Sequence, residues 1–308
     1  MAVYDRALAR MLPAVPKPIV RRIADRYIAG TELADACRLV KRLNGAGKMA
    51  TIDVLGEAIT SPDEARAIAR AYDDVFDAIE RERLDSNVSV KPTALGLELD
   101  YALFRENIEA VVRHAAESGN FVRIDMEDSS TTEATLRLYR ELRERGLDNV
   151  GIVLQARLRR TRADTRGLAP LRPSVRLCKG IYLEPPEIAF QDREAIRASF
   201  MRALAALLDA GCYVGIATHD DVLIDDARRQ VAERELGREE YEFQMLLGVR
   251  PGLGDALVRD GHRLRIYVPF GRQWYAYSLR RLQENPSIAG YIAADTVGRV
   301  LGRGNHRA

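Results

Sequence analysis

Eight β-like runs in this 308-residue chain end in residues that ionise or hydrogen-bond: MATIDVLGE from Met49, NVSVKPTA from Asn87, FVRIDMED from Phe121, VGIVLQAR from Val150, SVRLCKGIY from Ser174, YVGIATHD from Tyr213, YEFQMLLG from Tyr241 and RLRIYVPFG from Arg263. Towards their C-terminal ends they carry Lys91, Asp125 with Glu127, Gln155, Arg176 with Lys179, Thr218 with His219, Gln244 and Tyr267. A parallel barrel gathers every strand end on one face, where its catalytic loops meet. Cations, amides and a phenol on one rim suit a small acid and a polar heterocycle.

The segment after the last run, YVPFGRQWYAYSLRRLQEN, is the most specific. At about 100° per residue, Trp274, Tyr277, Arg280, Arg281 and Glu284 share one helix face, and Tyr275, Leu279 and Leu282 the other. An outer helix showing an ionic face to water would look similar. However, Glu284 follows Arg280 by four residues, the weaker order for a helix-stabilising pair, so helix support alone is a poor reason for it. Two guanidiniums beside aromatic rings make a site for a carboxylate on an apolar body, such as an amino acid.

The rim residues each allow more than one role. Lys91, stopped by Pro92, is a carboxylate anchor, a Schiff-base nucleophile or a surface charge. Asp125 is a strand-end carboxylate for Lys91 or an arginine, or a helix-capping loop acid. Gln155 suits the edge of a heterocycle or a satisfied buried amide. Arg176 sits too early in its run to be a simple rim charge, so inside a barrel it needs a partner: Asp125, Glu127 or an electron-rich ring. Thr218 and His219 suit phosphate, ribose or a cofactor ring. His114, His262 and His306 form no ligand pattern with His219, and no metal is expected.

These residues need a strand-then-helix scaffold. Helical patterns run over 61–83, 101–118, 131–145, 193–210, 223–236, 254–260 and 273–284. SPDEA at Ser61 reads as a serine cap with proline at the first helical position, and Gly119, Gly146 and Gly211 read as helix C-terminal glycines. Several strand runs are nearly continuous apolar stretches, the pattern of a parallel sheet covered by helices. Residues 1–44 read as short helices broken at Pro13, Pro16 and Pro18, with Thr31 as an N-cap, packing outside a barrel of residues 45–308.

Composition narrows the function. At 47% apolar content the chain can bury one large core, and 47 basic against 45 acidic residues, a net charge of +2, give no field favouring nucleic acid. The N-terminus has no apolar block resembling a signal peptide or a span, and the widely spaced Cys37, Cys178 and Cys212 fit a reducing cytoplasm. Peripheral contact with the inner face of a membrane stays open. No G-x-G-x-x-G follows the first strand, and no P-loop or recognisable nucleophile context occurs.

The motifs SVKPTALG, RIDMED, VLQAR, VRLCKGIY, ATHD, EFQMLLG, RIYVPFG and Y-x-x-RRLQEN, in this order, resemble the proline dehydrogenase family along nearly the whole chain. The resemblance implies a distorted (β/α)8 TIM barrel holding FAD, with the last helix over the barrel mouth. It implies that Lys91, Arg280 and Arg281 bind the carboxylate of L-proline, with Tyr267, Tyr277 and Leu177 around its ring. Asp125 and Arg176 match catalytic positions. Met126, Gln155, Arg176, Lys179, Gly180, Ile181, Thr218, His219, Gln244 and Glu284 match FAD-side positions. The implied reaction is oxidation to Δ1-pyrroline-5-carboxylate, with a quinone as electron acceptor. Pro92, Cys178, Ile181 and Leu183 are less typical, and the chain lacks the aldehyde dehydrogenase and DNA-binding modules of larger bifunctional relatives, so it looks monofunctional.

Two rivals use the same residues differently. A Schiff-base lyase would employ Lys91 or Lys179. A binding module would use the arginine-rich stretch RLRRTRADTR, Arg157 to Arg166, read as a loop.

Overall fold

The computed structural model describes residues 26–56, 59–275 and 278. Eight parallel strands close into a barrel in sequence order: β1 (Met49–Val54), β2 (Ser86–Val90), β3 (Val122–Ile124), β4 (Val150–Gln155), β5 (Ser174–Cys178), β6 (Tyr213–Ala217), β7 (Tyr241–Leu246) and β8 (Leu264–Phe270). β8 returns to β1 with Thr51 opposite Tyr267 and Asp53 opposite Pro269, which completes the ring. Around it lie α1 (Leu33–Gly45), α2 (Pro62–Glu82), α3 (Tyr101–Glu117), α4 (Ser129–Glu144), α5 (Thr161–Leu168), α6 (Arg193–Asp209), α7 (Asp221–Glu233) and α8 (Pro251–Arg259).

Local chemistry sets these boundaries. Ser61 caps α2, with its hydroxyl accepting from the Glu64 N–H while the Glu64 carboxylate accepts from the Ser61 N–H. Asp128 caps α4, which therefore starts two residues before the expected Thr131. α1 is capped by Glu32 and not by Thr31, because the Asp35 carboxylate reaches back to the Glu32 N–H at 3.1 Å. Part of the expected arginine-rich loop is helix α5, held at its start by the Thr161 hydroxyl donating to the Gln155 carbonyl at 2.5 Å.

α1 packs on both β1 and β8. It thereby covers the seam where β8 closes onto β1.

The strands alternate more strictly than their apolar runs suggest. Ile52, Val88, Val90, Ile124, Ile152, Leu154, Val175, Leu177, Val214, Ile216, Phe243 and Val268 are buried in the apolar layer with residues of the surrounding helices, such as Tyr72, Phe76, Phe104, Ile108, Tyr139 and Phe200. Their neighbours in sequence face inward and bond across the barrel between strands that are not adjacent: Ser89 on β2 with Arg176 on β5, Arg176 with Gln244 on β7, and Arg123 on β3 with Ser174 on β5. The barrel interior is thus ionic, and the apolar core sits between strands and helices.

Candidate active site

Each rim residue owes its position to this alternation. Asp125 stands one residue past β3, its N–H donating to the Val90 carbonyl at 2.9 Å, and Lys91 stands one past β2. Arg176 lies inside β5, and Tyr267 inside β8. All four meet above the barrel interior.

Arg176 is held on three sides. Nη1 donates to Asp125 Oδ1 at 2.5 Å and to Ser89 Oγ at 3.1 Å, and Nε donates to Gln244 Oε1 at 2.6 Å. The Ser89 hydroxyl also donates to Asp125, at 2.7 Å. The guanidinium carbon lies 5.3 Å from the centre of the Tyr267 ring, within range for a cation–π contact. Tyr267 donates its hydroxyl to Asp125 Oδ2 at 2.9 Å and accepts from Lys91 Nζ at 3.2 Å. One phenol therefore joins the two cationic groups through one carboxylate.

Among the described residues the acid paired with Lys91 is Asp53, which the sequence did not single out. Lys91 Nζ donates to both its oxygens, at 2.7 and 2.6 Å, and Asp53 is fully buried near the C-terminal end of β1. Burial pushes the Asp53 carboxyl above its usual range, while Lys91 pulls against that. Glu127 is also raised by burial, and it accepts from the Thr93 N–H and hydroxyl, both at 2.8 Å, which ties down the turn after β2.

A cavity of about 980 Å3 opens above this cluster. Lys91, Asp125, Met126, Gln155, Arg176, Lys179, Gly180, Ile181, Thr218, His219, Gln244 and Tyr267 all line it. Gly180 takes φ +91°, and a Cβ there would stand 2.7 Å from the Gln155 amide oxygen, so the close approach of backbone to Gln155 needs glycine. Gln155 Nε2 in turn donates to the Glu127 carbonyl at 2.7 Å. The Leu246 N–H donates to His219 Nε2 at 3.1 Å, which places the ring proton on Nδ1. Asp220 accepts from Lys179 and from Nε and Nη2 of Arg197; burial pushes its carboxyl up, but these bonds outweigh it and hold it down to about 2.

One residue takes a place other than the one expected. Leu177 faces the helices, fully buried in the apolar layer opposite Leu154 and Ile216, because strand alternation turns it away from its neighbour Arg176; it does not line the cavity. Gln244 does line it, yet both ends of its amide are engaged, with Nε2 donating to Glu242 at 2.5 Å and Oε1 accepting from Arg176. The second of these bonds fixes the Arg176 side chain from the β7 side. Tyr277, Arg280, Arg281 and Glu284 lie outside the described residues.

A family model for proline dehydrogenase matches residues 36–294. Proline dehydrogenase 1 of Bacillus subtilis subsp. natto is 38% identical over 269 residues, which is 87% of this chain and 89% of that protein. Proline dehydrogenase of Deinococcus radiodurans is 37% identical over 274 residues, 88% of each chain. The solved structure of proline utilization A (PutA) from Bdellovibrio bacteriovorus, inactivated by N-propargylglycine, superposes with a TM-score of 0.81 at 26% identity, covering 86% of this chain and 33% of that one. Barrel, rim cluster and these likenesses agree, and the chain belongs to the proline dehydrogenase family.

Proposed function

We propose that this protein oxidises L-proline to Δ1-pyrroline-5-carboxylate with FAD as cofactor and a quinone as electron acceptor. The observation that carries the reading is the meeting of Lys91, Asp125, Arg176 and Tyr267 beneath one large cavity, in a chain of this family.

The residues fit such a cofactor. The cavity is at the upper end of the usual range for small-molecule sites, about 300–1,000 Å3, and takes more than a lone amino acid. Lys179, Arg193, Arg197 and Arg250 line it with positive charge suited to a diphosphate. Arg176, Gln155 and the Lys179–Ile181 backbone offer the polar edge a flavin ring system requires. Bound there, FAD would supply the acceptor for the hydride that leaves proline C5.

The chain's own residues supply binding and orientation. Lys91, with Arg280 and Arg281, holds the proline carboxylate, and Tyr267 and Tyr277 cover its ring. Orientation of this kind supplies much of the rate. Asp125 keeps Arg176 and the Tyr267 hydroxyl in place, and Arg176 presents a cation where negative charge develops. Both Lys91 and Lys179 direct hydrogen bonds at carboxylates, the arrangement of fixed cations and not of an amine nucleophile, which weighs against a Schiff-base lyase.

The reading is tested by Arg281→Met. The expected result is a KM for proline raised roughly 100-fold with flavin absorbance retained, the loss of one charge-assisted contact to the substrate carboxylate. An unchanged KM refutes the carboxylate clamp.

A further inference from the structure

We propose that the opposite, N-terminal end of the barrel holds a second site, which binds a small oxyanion, a carboxylate or phosphate, with Arg123 as its buried counter-charge. The inference is independent of the reaction proposed above.

The argument starts from the charges inside the barrel. The inward positions of the strands, with the residues just past β2 and β3, carry four cations, Lys91, Arg123, Arg176 and Arg265, and three carboxylates, Asp53, Asp125 and Glu242. Three pairs form: Lys91 with Asp53 at 2.6 Å, Arg176 with Asp125 at 2.5 Å and Arg265 with Glu242 at 2.8 Å. Arg123 is left over.

Arg123 is only 2% exposed, among the most completely buried large side chains of the molecule. Its Nη1 donates to the carbonyls of Ile152 at 3.0 Å and Ser174 at 2.5 Å, and Nη2 donates to Ser174 Oγ at 2.8 Å. Nε is buried with no acceptor. Among the described residues no carboxylate lies within ion-pair distance of it. Burial, then repulsion from Arg176 and Arg265, pull its pKa down to about 9, with Glu242 only partly opposing. Its guanidinium carbon lies 4.9 Å from the centre of the Phe121 ring, but a buried charge without a counter-charge is normally avoided, because desolvation is not repaid.

The same arginine lines a cavity of about 450 Å3 between the N-terminal ends of the strands, shared with Arg263, Arg265, Asn87 and Asn120. Glu242 also reaches it, but its oxygens already accept from Arg265, Gln244 and Tyr213, and burial that would raise its carboxyl is outweighed by these partners. Asp85 stands exposed at the edge. Arg263, paired with the exposed Glu239, adds a guanidinium nearer the mouth. Planar guanidiniums match oxyanions through forked, charge-assisted bonds, and this fixes the ligand class.

The test is thermal unfolding of the full-length chain, as purified, in sodium phosphate, sodium acetate and sodium chloride at matched ionic strength. Phosphate or acetate should raise Tm saturably, on the order of 5 °C, beyond chloride, and which of them does so separates the two ligand sources. Arg123→Met should abolish the rise. Should that variant fail to fold, Arg263→Gln at the mouth should shift the half-saturating concentration roughly tenfold while leaving the KM for proline unchanged. The proposal is overturned if neither oxyanion exceeds chloride, if both variants respond like the parent, or if Arg263→Gln raises the KM for proline.

Discussion

Lys91 and Arg176 each carry a carboxylate of their own, and this decides what single substitutions will do. Asp53→Asn leaves the Lys91 ammonium buried without its counter-charge, and is expected to cost about 3–5 kcal/mol by urea unfolding. The KM for proline should rise as well, since Lys91 loses the contact that aims it. Tyr267→Phe removes the hydroxyl linking Lys91 to Asp125; kcat/KM should fall about tenfold with little change in stability, as measured by steady-state kinetics beside thermal unfolding. The need of Arg176 for a partner was legible in the sequence, because an arginine inside a barrel strand demands one, with Asp125 and Glu127 as the candidate acids; the structure selects Asp125. Asp53 was not legible. One carboxylate within MATIDV looks like a strand residue of no special kind, and its partner lies 38 residues along the chain. Leu177 shows the converse: the family resemblance implied a place beside the substrate ring, while the two-residue period of a strand sends it and its neighbour Arg176 to opposite faces.

At the scale of elements, β6 exerts control through a missing side chain. Gly215 faces inward beside β7, and a Cβ there would stand 2.4 Å from Gln244 Nε2. Gly215→Ala should therefore displace Gln244, release Arg176 Nε, and lower kcat at least tenfold while far-ultraviolet circular dichroism stays that of the folded barrel. An active variant would mean that Gln244 does not orient the arginine. All eight strands and most helices were readable from apolar runs, capping serine and helix-end glycines; Gly119, Gly146 and Gly211 do adopt positive φ after α3, α4 and α6. The exceptions have local causes. α5 is hidden because arginines mask its buried face of Thr161, Asp164, Thr165 and Leu168. α1 starts from Glu32 because Asp35 supplies the reciprocal bond, a pattern a Thr cap would have concealed.

Across the molecule, an ionic barrel interior enclosed by an apolar layer makes stability depend on pH in a definite sense. Asp220, held down to about 2, and Glu242, also lowered, contribute stability that is present above their unfolded pKa values near 4 and is lost as pH falls through the folded ones. Glu127, raised by burial, acts with the opposite sign: what it contributes is present below the unfolded pKa and lost as pH rises through the folded value. Asp220→Asn should accordingly lose about 1–2 kcal/mol at about pH 6 and little at about pH 2, by urea titration at each pH. The paired cations at the rim matter only if they converge on a flavin and an imino acid. Addition of L-proline to the purified protein under anaerobic conditions, followed by its visible spectrum, examines that convergence directly: loss of oxidised-flavin absorbance on adding proline is the predicted result, and a protein with no flavin spectrum, or one that proline leaves unchanged, contradicts the account.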